Sequence, residues 1–267
     1  EDNDFLLPDI ETLGEKFARQ EWKAVWKKIE IMRKANPAPV DTMGCERLSD
    51  STDPKQNRFE TLVALMLSSQ TRDEQTAKTM AQLKQHGCRV DRIHLETSDE
   101  QLKELIYGVG FHNRKVLYIK KTAKILYEQY DQDIPSTLKG LLALPGVGPK
   151  MAHLCLQCAW GKTEGIGVDV HVHRIANRLG WVDSKNPEGT RKQLEAWLPK
   201  SHWRDINSLL VGFGQTICTP RNPKCNQCSL AYVCPSSTVK KQKMMKSKTT
   251  TKSKPIKETT NKPTTNK

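Results

Sequence analysis

Four cysteines close to the carboxyl end of the chain have the number and spacing of a metal-ligand set. Cys218, Cys225, Cys228 and Cys234 fall within 17 of the 267 residues. Four thiolates in a compact loop can hold a tetrahedral zinc ion or a [4Fe-4S] cube. Structural zinc favours two short Cys-x2-Cys pairs, so the single short pair here favours the iron-sulfur core and leaves zinc open. Because the other four cysteines are scattered, the crowding indicates a metal centre in a reducing compartment rather than disulfides.

A glycine-rich turn predicts a second functional feature at residues 144–152, which read Leu-Pro-Gly-Val-Gly-Pro-Lys-Met-Ala. Pro145 ends the preceding helix, and Gly146 and Gly148 permit backbone angles that other residues resist. Pro149 suits the first position of a new helix. The pattern therefore predicts helix, two-glycine turn and helix, with unpaired N–H groups that cradle one phosphate of a nucleic acid.

Lys150 follows this turn and lies in the first turn of the predicted helix. The positive end of the helix dipole opposes its ammonium form, and partial burial acts in the same direction, so we expect a lowered pKa. A neutral amine there could attack carbon near pH 7. The same position equally suits a plain phosphate-binding cation, and the residues alone do not decide between the two.

Asp169 is the candidate carboxylate to accompany this lysine, since Schiff-base chemistry needs a group that manages protons and stabilises cationic character. It lies nineteen residues after Lys150. One alternative is that Asp169 only caps a helix entering at His171. Another is a metal site formed by Asp169, His171 and His173, for which the sequence offers no further ligand set.

The elements that position these residues are predicted to be helices, because apolar residues recur at helical spacing along most of the chain. The alternation at 168–173 would suit a strand, but it runs directly into a helical pattern, so we expect a loop entering a helix. Cys155 and Cys158 fall on the apolar face of a helix and are interpreted as packing residues. The predicted helices begin at Trp22 and Phe59 and span 74–84, 99–107, 115–129, 136–144, 188–198 and 206–213.

The charge of +13 is concentrated in a tail. From Ser236 onward there are ten Lys and one Glu, so residues 1–235 carry only +4. The tail has little to bury and is predicted to be disordered, serving as a nuclear-import signal at 240–243, a polyanion tether or a solubilising segment. The longest apolar run, Leu62–Leu67, is far short of the about 20 residues that span a membrane. The chain begins at Glu1, so we expect any leader to have been removed.

Three motifs together resemble a known family. Leu-Pro-Gly-Val-Gly-x-Lys-x-Ala at 144–152 is followed by Val-Asp-x-His-x-x-Arg at 168–174 and by Cys-x6-Cys-x2-Cys-x5-Cys at 218–234. Their order and spacing are similar to those of the endonuclease III family of helix-hairpin-helix DNA glycosylases, most of all its eukaryotic branch, over roughly residues 22–235. The resemblance implies an all-α, two-domain fold. Its segments would be a frayed 1–21, an N-terminal helix region 22–52 packing on the cluster domain, a six-helix domain 53–163 with the hairpin, an iron-sulfur domain 164–235 and a basic tail 236–267.

The resemblance also implies roles for individual residues. Lys150 and Asp169 match the catalytic residues of the family, and the four clustered cysteines match the ligands of its [4Fe-4S] cluster. Gln70 and His171 match residues that fill the gap left by an extruded nucleotide, and Phe111 lies in the loop of a wedge residue. The remaining expected DNA contacts are the hairpin glycines and the two basic residues of the cluster loop: Gly146, Gly148, Arg221 and Lys224.

The activity implied is that of a bifunctional DNA glycosylase and AP lyase acting on duplex DNA that contains oxidised pyrimidines or abasic sites. We expect a monomer located in the nucleus, with the mitochondrion as a second compartment, and without membrane contact; downstream repair proteins are candidate partners. A monofunctional adenine glycosylase is disfavoured because such relatives lack a lysine at the position of Lys150. A noncatalytic DNA-binding module and an Asp169-based metallonuclease remain as alternatives.

Overall fold

The computed structural model describes residues 21–239, and within this range the chain is helical, without a β-strand. The predicted all-α class is therefore confirmed for the described part. Short 3-10 and π-helical turns join the longer helices. The α-helices are α1 Trp22–Ala35, α2 Pro39–Met43, α3 Pro54–Ser68, α4 Asp73–His86, α5 Asp99–Leu105, α6 His112–Gln129, α7 Leu138–Leu142, α8 Pro149–Trp160, α9 Val170–Arg178, α10 Pro187–Glu195 and α11 Ile206–Thr216.

Side chains at the helix starts explain several of these boundaries. Asp53 precedes α3 and accepts a hydrogen bond from Lys55 N at 3.0 Å, with Pro54 at the first helical position. Ser98 and Gln101 form a reciprocal capping box at the start of α5. Each cap satisfies a backbone N–H that has no partner within the helix.

Three stretches show where the structure departs from the sequence prediction and where it agrees with it. The helix predicted over 136–144 is confined to Leu138–Leu142, because Thr137 caps it by accepting from Gly140 N. The polar connection at 36–54 contains the short helix α2. The alternating stretch at 168–173 enters α9 at Val170, as expected, so its alternation does not indicate a strand.

Two hydrophobic cores organise the molecule. The first lies within residues 48–156 and is centred on α3, in which every residue from Phe59 to Leu67 is buried. The second combines residues 166–230 with the buried face of α1, the helix at the amino end of the described range. The division parallels the two domains expected from the sequence, whose exact boundaries stay a prediction.

Aromatic rings fix α1 to the second core. The ring of His202 lies between those of Trp22 and Trp26, with centroid distances of 4.8 and 4.9 Å. Trp22 also packs edge-on against Trp197 at 6.0 Å, and Trp197 in turn contacts the fully buried Trp181. Such contacts bury large apolar area, so α1 is an integral part of this core.

The ends of the chain fall mostly outside the described residues. The predicted frayed segment 1–21 and basic tail 236–267 contribute only residue 21 and residues 236–239. Ser237 is buried and its N–H bonds to Cys234 O, so the folded chain extends slightly past Pro235, where disorder was expected to begin. Between residues 21 and 239 no helix combines the length and apolarity needed to cross a membrane.

Candidate active site

A cleft of about 1260 Å³ lies where the two cores meet. Its lining includes Gln70 after α3, Lys150 in α8, and Asp169 and His171 at the start of α9. These residues are the predicted catalytic pair and the two predicted gap-filling residues. Far apart in sequence, they share one cavity.

The hairpin that carries Lys150 has the predicted form. Gly146 has a φ of +79°, and a Cβ there would lie 2.5 Å from the Tyr118 ring, so glycine is required. Gly148 differs from the prediction, because its φ of −97° is open to any residue. Its bare backbone instead leaves open space, with nothing within 4 Å of an added Cβ. The N–H groups of Gly146, Gly148 and Lys150 bond to no other residue within 21–239, which leaves them free to bind an anion.

Asp169 is the N-cap of α9, as one interpretation of the sequence proposed. Its Oδ1 accepts from the N–H groups of His171 at 2.9 Å and Val172 at 2.8 Å. Within residues 21–239 its Oδ2 accepts no hydrogen bond. The two hydrogen bonds of the cap fix the orientation of the Asp169 side chain. Asp169 can therefore cap α9 and also act in the cleft, because Oδ1 makes the capping hydrogen bonds and Oδ2 makes none within residues 21–239.

His171 is neutral in this environment. Burial lowers the pKa of its imidazole, the charges of Arg174 and Lys150 act in the same direction, and those of Asp169 and Asp73 oppose them. Arg174 Nη2 lies 3.2 Å from His171 Nδ1. Since a guanidinium can only donate, Nδ1 accepts and the ring proton lies on Nε2.

Asp73 is a second carboxylate in the cleft, and the sequence analysis missed it. Burial raises the pKa of its carboxyl group, while a hydrogen bond from Gln215 Nε2 at 2.7 Å and the charge of Lys150 oppose the rise. Its only sequence signal was the position at the start of α4, three residues after Gln70. Nothing in the sequence around Gln215 indicated that it lines the cleft.

Gln70 and Phe111 share an unusual backbone conformation. Their φ values are +51° and +57°, in the left-handed region that costs a non-glycine residue about 1–3 kcal/mol. Gln70 is exposed at the rim of the cleft. Phe111 is 59% exposed and does not line the cleft, so its ring is not part of the hydrophobic core.

The cysteine loop lies beside the second core. Cys218, Cys228 and Cys234 pack against that core. Arg178 Nη1 lies 3.4 Å from Cys218 Sγ and donates to Thr219 O at 2.8 Å. A guanidinium at this place compensates negative charge on the thiolates.

The four thiols are close enough to influence one another. Burial raises the pKa of Cys228 to about 11, and the charges of the other three thiols of the quartet act in the same direction. Arg221 and Lys224 are exposed on this loop and lie outside the cleft.

No single-ion metal site is formed within residues 21–239. In this range no three His, Cys, Asp or Glu side chains converge closely enough to hold one metal ion. His173 Nδ1 is instead 2.7 Å from Thr190 Oγ1. The metal site considered for Asp169, His171 and His173 is therefore not formed.

Comparisons with known proteins agree with this geometry. Residues 63–200 match the family model of the HhH-GPD superfamily base excision DNA repair proteins, and residues 218–234 match the iron-sulfur binding domain of endonuclease III. The chain is 51% identical to endonuclease III-like protein 1 of Mus musculus over 221 residues, which cover 82% of this chain and 73% of the relative. It is 50% identical to the endonuclease III homolog of Schizosaccharomyces pombe over 82% of this chain and 62% of that protein. The chain belongs to the endonuclease III family.

Solved structures of endonuclease III have the same fold. A non-covalent endonuclease III–DNA complex superposes with a TM-score of 0.72 at 25% identity, covering 85% of this chain and 98% of that one. A trapped covalent intermediate of endonuclease III with DNA gives a TM-score of 0.69 at 26% identity, covering 83% and 98%. The predicted helix-hairpin-helix glycosylase fold is thus confirmed, and the protein is a DNA glycosylase and AP lyase of base excision repair.

Membership in the endonuclease III family also assigns the cofactor. Residues 218–234 match the iron-sulfur binding domain of endonuclease III, so the protein carries a [4Fe-4S] cluster, and Cys218, Cys225, Cys228 and Cys234 are the residues that would hold it. The residues present fit this group, because four cysteine thiols that form no disulfide lie in one loop beside the cationic Arg178. When bound, the cluster fixes the fold of a loop that has little core of its own.

Proposed function

We propose that this protein removes oxidised pyrimidines from duplex DNA through a Schiff base on Lys150 and cuts the strand 3′ to the lesion. The observation that carries the proposal is that Lys150 and Asp169 line the same cleft, next to a hairpin with free backbone donors. The trapped covalent endonuclease III–DNA intermediate supports covalent chemistry of this kind.

The chemistry begins with the amine of Lys150 as the nucleophile. Its Nζ attacks C1′ of a nucleotide extruded from the stack, and the damaged base leaves with the bonding electrons and gains a proton. The nitrogen loses a proton, and its lone pair then forms the C=N bond while the C1′–O4′ bond breaks and O4′ takes up a proton, which gives a protonated imine. Removal of a C2′ proton then expels the 3′ phosphate by β-elimination. Asp169 assists departure of the base by electrostatic stabilisation or proton transfer.

The same proposal assigns DNA contacts around the cleft. Free N–H groups at Gly146 and Gly148 receive one backbone phosphate. Gln70 and His171 fill the gap left by the extruded nucleotide, the amide of Gln70 pairing with the orphaned base. Phe111 acts as the wedge. The two exposed basic residues of the cluster loop, Arg221 and Lys224, contact phosphates outside the cleft.

Alternative functions lack this support. A monofunctional adenine glycosylase would not need the amine of Lys150. A metallonuclease would need a convergent ligand set, which residues 21–239 do not supply around Asp169. A noncatalytic DNA-binding module would use the hairpin and the cluster loop but would leave Lys150 unmodified.

Borohydride trapping tests the proposal. The wild-type protein, incubated with a duplex containing thymine glycol, should give a covalent adduct, and peptide mapping should find the sugar fragment on Lys150. Lys150→Gln should give no adduct and no cleavage, a loss of at least about 10³-fold, while still binding the duplex. Lys162→Gln is the matched control, because Lys162 lies just beyond the other end of α8 and donates to Ser136 O. An adduct that persists in Lys150→Gln would refute the proposal.

Location and assembly are part of the same proposal. We infer a monomer in the nucleus, with the mitochondrion as a second compartment, that hands its nicked product to downstream repair proteins. The family resemblance supports each of these statements. Microscopy of the tagged full-length protein with and without residues 236–267 tests the location, and nuclear accumulation that is unchanged without the tail would remove its proposed import role.

A further inference from the structure

Lys115 is a buried lysine outside the chemistry described so far. It lies in the first turn of α6 and is 4% exposed. Its Nζ donates to Leu67 O at 2.6 Å, to Ser69 O at 2.7 Å and to Thr71 Oγ1 at 3.2 Å. An ammonium group has three N–H donors, so every donor of Lys115 has an acceptor.

These acceptors lie on both sides of Gln70. Leu67 belongs to the last turn of α3, where the negative end of the helix dipole favours a cation. Ser69 and Thr71 are the immediate neighbours of Gln70 in the chain. The lysine therefore holds the strained segment that presents the Gln70 side chain to the cleft.

The Thr71 hydroxyl extends the contact to the loop of Phe111. Thr71 Oγ1 accepts from Gly110 N at 3.0 Å. A Cβ added at Gly110 would lie only 2.3 Å from Gln70 O, so the two backbones touch. Phe111 follows directly, with its own left-handed backbone and an exposed ring. One network thus connects Lys115 with both segments.

We propose that Lys115 is a positioning residue that holds Gln70 and Phe111 as one rigid unit, so that both side chains enter the damaged duplex together. The inference rests on the proposed function, in which these two residues fill and wedge the gap. Within residues 21–239 four non-glycine residues have a left-handed φ, and Gln70 and Phe111 are the two that lie beside this network. Strained backbones persist only where their surroundings hold them, as this lysine does.

The charge of Lys115 is compatible with this role. Burial lowers the pKa of its amine to about 8. The amine is therefore mostly protonated at pH 7 and keeps all three donors. A neutral amine would have two N–H donors and could keep only two of the three contacts.

The test compares binding of the full holoenzyme to a duplex with a tetrahydrofuran abasic analogue and to the same duplex without it. The readout is the ratio of the two Kd values, which a general loss of folded protein would not change. We expect Lys115→Met to lower this preference about tenfold, the size expected when charge-assisted hydrogen bonds are lost. Lys120→Met is the matched control, since Lys120 on the same helix donates to three carbonyls, those of Ile93, His94 and Thr97, away from the cleft.

Two variants of Thr71 test the same inference even if Lys115→Met fails to fold. Thr71→Val keeps the shape of the side chain but removes the hydroxyl that joins Lys115 to Gly110. It should also lower the preference. Thr71→Ser retains the hydroxyl and should restore it to the wild-type ratio.

The outcomes separate this inference from the proposed function. If Gln70→Ala lowers the preference while Lys115→Met and Thr71→Val keep the wild-type ratio, the positioning role of Lys115 is wrong and the gap-filling role stands. If Gln70→Ala and Phe111→Ala also keep the wild-type ratio, the gap-filling role itself is wrong and this inference falls with it. A loss in Lys120→Met equal to that in Lys115→Met would also overturn it.

Discussion

Gln215 and Asp73 are joined across the cleft by a hydrogen bond of 2.7 Å from Nε2 to Oδ2. Asp73 begins α4, beside the first core, and Gln215 lies in α11 of the second. The other end of the same amide, Oε1, accepts from Val40 N at 3.2 Å. One side chain therefore links both walls of the active site to the short helix α2.

Gln215→Ala should loosen this link. The half-buried carboxylate of Asp73 would lose its hydrogen-bond donor, so we expect the free energy of unfolding to fall by about 1 kcal/mol. Urea unfolding of the holoenzyme measures the change. Gln193→Ala is the matched control, because Gln193 makes two exposed hydrogen bonds with the backbone of Asp183. Equal losses in the two variants would contradict a special role for the cross-cleft bond.

Asp169→Asn should separate the two functions of this residue. An asparagine caps a helix about as well as an aspartate, so α9 and the thermal stability should be preserved. The charge that assists departure of the base would be lost, and single-turnover excision should slow by about 10²–10⁴-fold. Asp169→Ala should show the same kinetic defect and in addition lose about 1 kcal/mol of stability. If Asp169→Asn excises the base at the wild-type rate, Asp169 only caps α9 and has no role in catalysis.

Cys228→Ser should remove the cofactor. A hydroxyl is a poor replacement for a thiolate on iron, so the purified variant should lose bound iron and the visible charge-transfer absorption of the cluster. Its stability should fall as well, since the loop at 218–234 would lose its fixed point. Cys158→Ser, a change outside this loop, should keep full iron content. Full colour in Cys228→Ser would exclude this residue as a ligand.

His153 should make the protein acid-sensitive. It is 5% exposed, and its Nδ1 has no partner within residues 21–239. Burial lowers the pKa of this imidazole, the charge of Arg191 acts in the same direction, and three glutamates, Glu195 first, oppose them. The unfolded chain therefore takes up a proton first, at about pH 6.5, and stability falls as the pH drops through and below that value.

Urea unfolding at pH 7.5 and pH 5.5 tests whether stability falls as the pH is lowered. The wild-type protein should be less stable at the lower pH, by about 1.4 kcal/mol for each unit by which the folded pKa lies below the unfolded one. His153→Leu should show a smaller difference between the two pH values, because one titrating group is gone. The same difference in both proteins would mean that other groups account for the acid sensitivity.

Local patterns predicted the helices and the hairpin well, because apolar spacing, Pro149 and Gly146 act over a few residues. The same patterns placed Asp169 at a helix entrance, which the cap geometry bears out. They predicted that Gly148 is needed for its backbone angles, which is wrong because its φ is ordinary. The absence of a side chain there instead leaves open space beside the backbone.

Long-range relationships were beyond such reasoning. The link between Asp73 and Gln215 spans 142 positions and leaves no mark in either local sequence. Lys115 would be taken for a surface residue, because lysines are rarely buried without partners. Lys115 is buried because carbonyl groups at the end of α3 have no donor within that helix. The sequence does not reveal this, because it depends on how α3 and α6 pack together.

The position of α1 in the second core has a consequence for biosynthesis. On the ribosome, residues 48–156 emerge early enough to collapse around α3 by themselves, whereas α1 has no partner until residues 166–230 have been made. The face of α1 that carries Trp22 and Trp26 therefore stays exposed to solvent while the residues of the first core are synthesised. A chaperone that acts on the nascent chain should therefore bind α1.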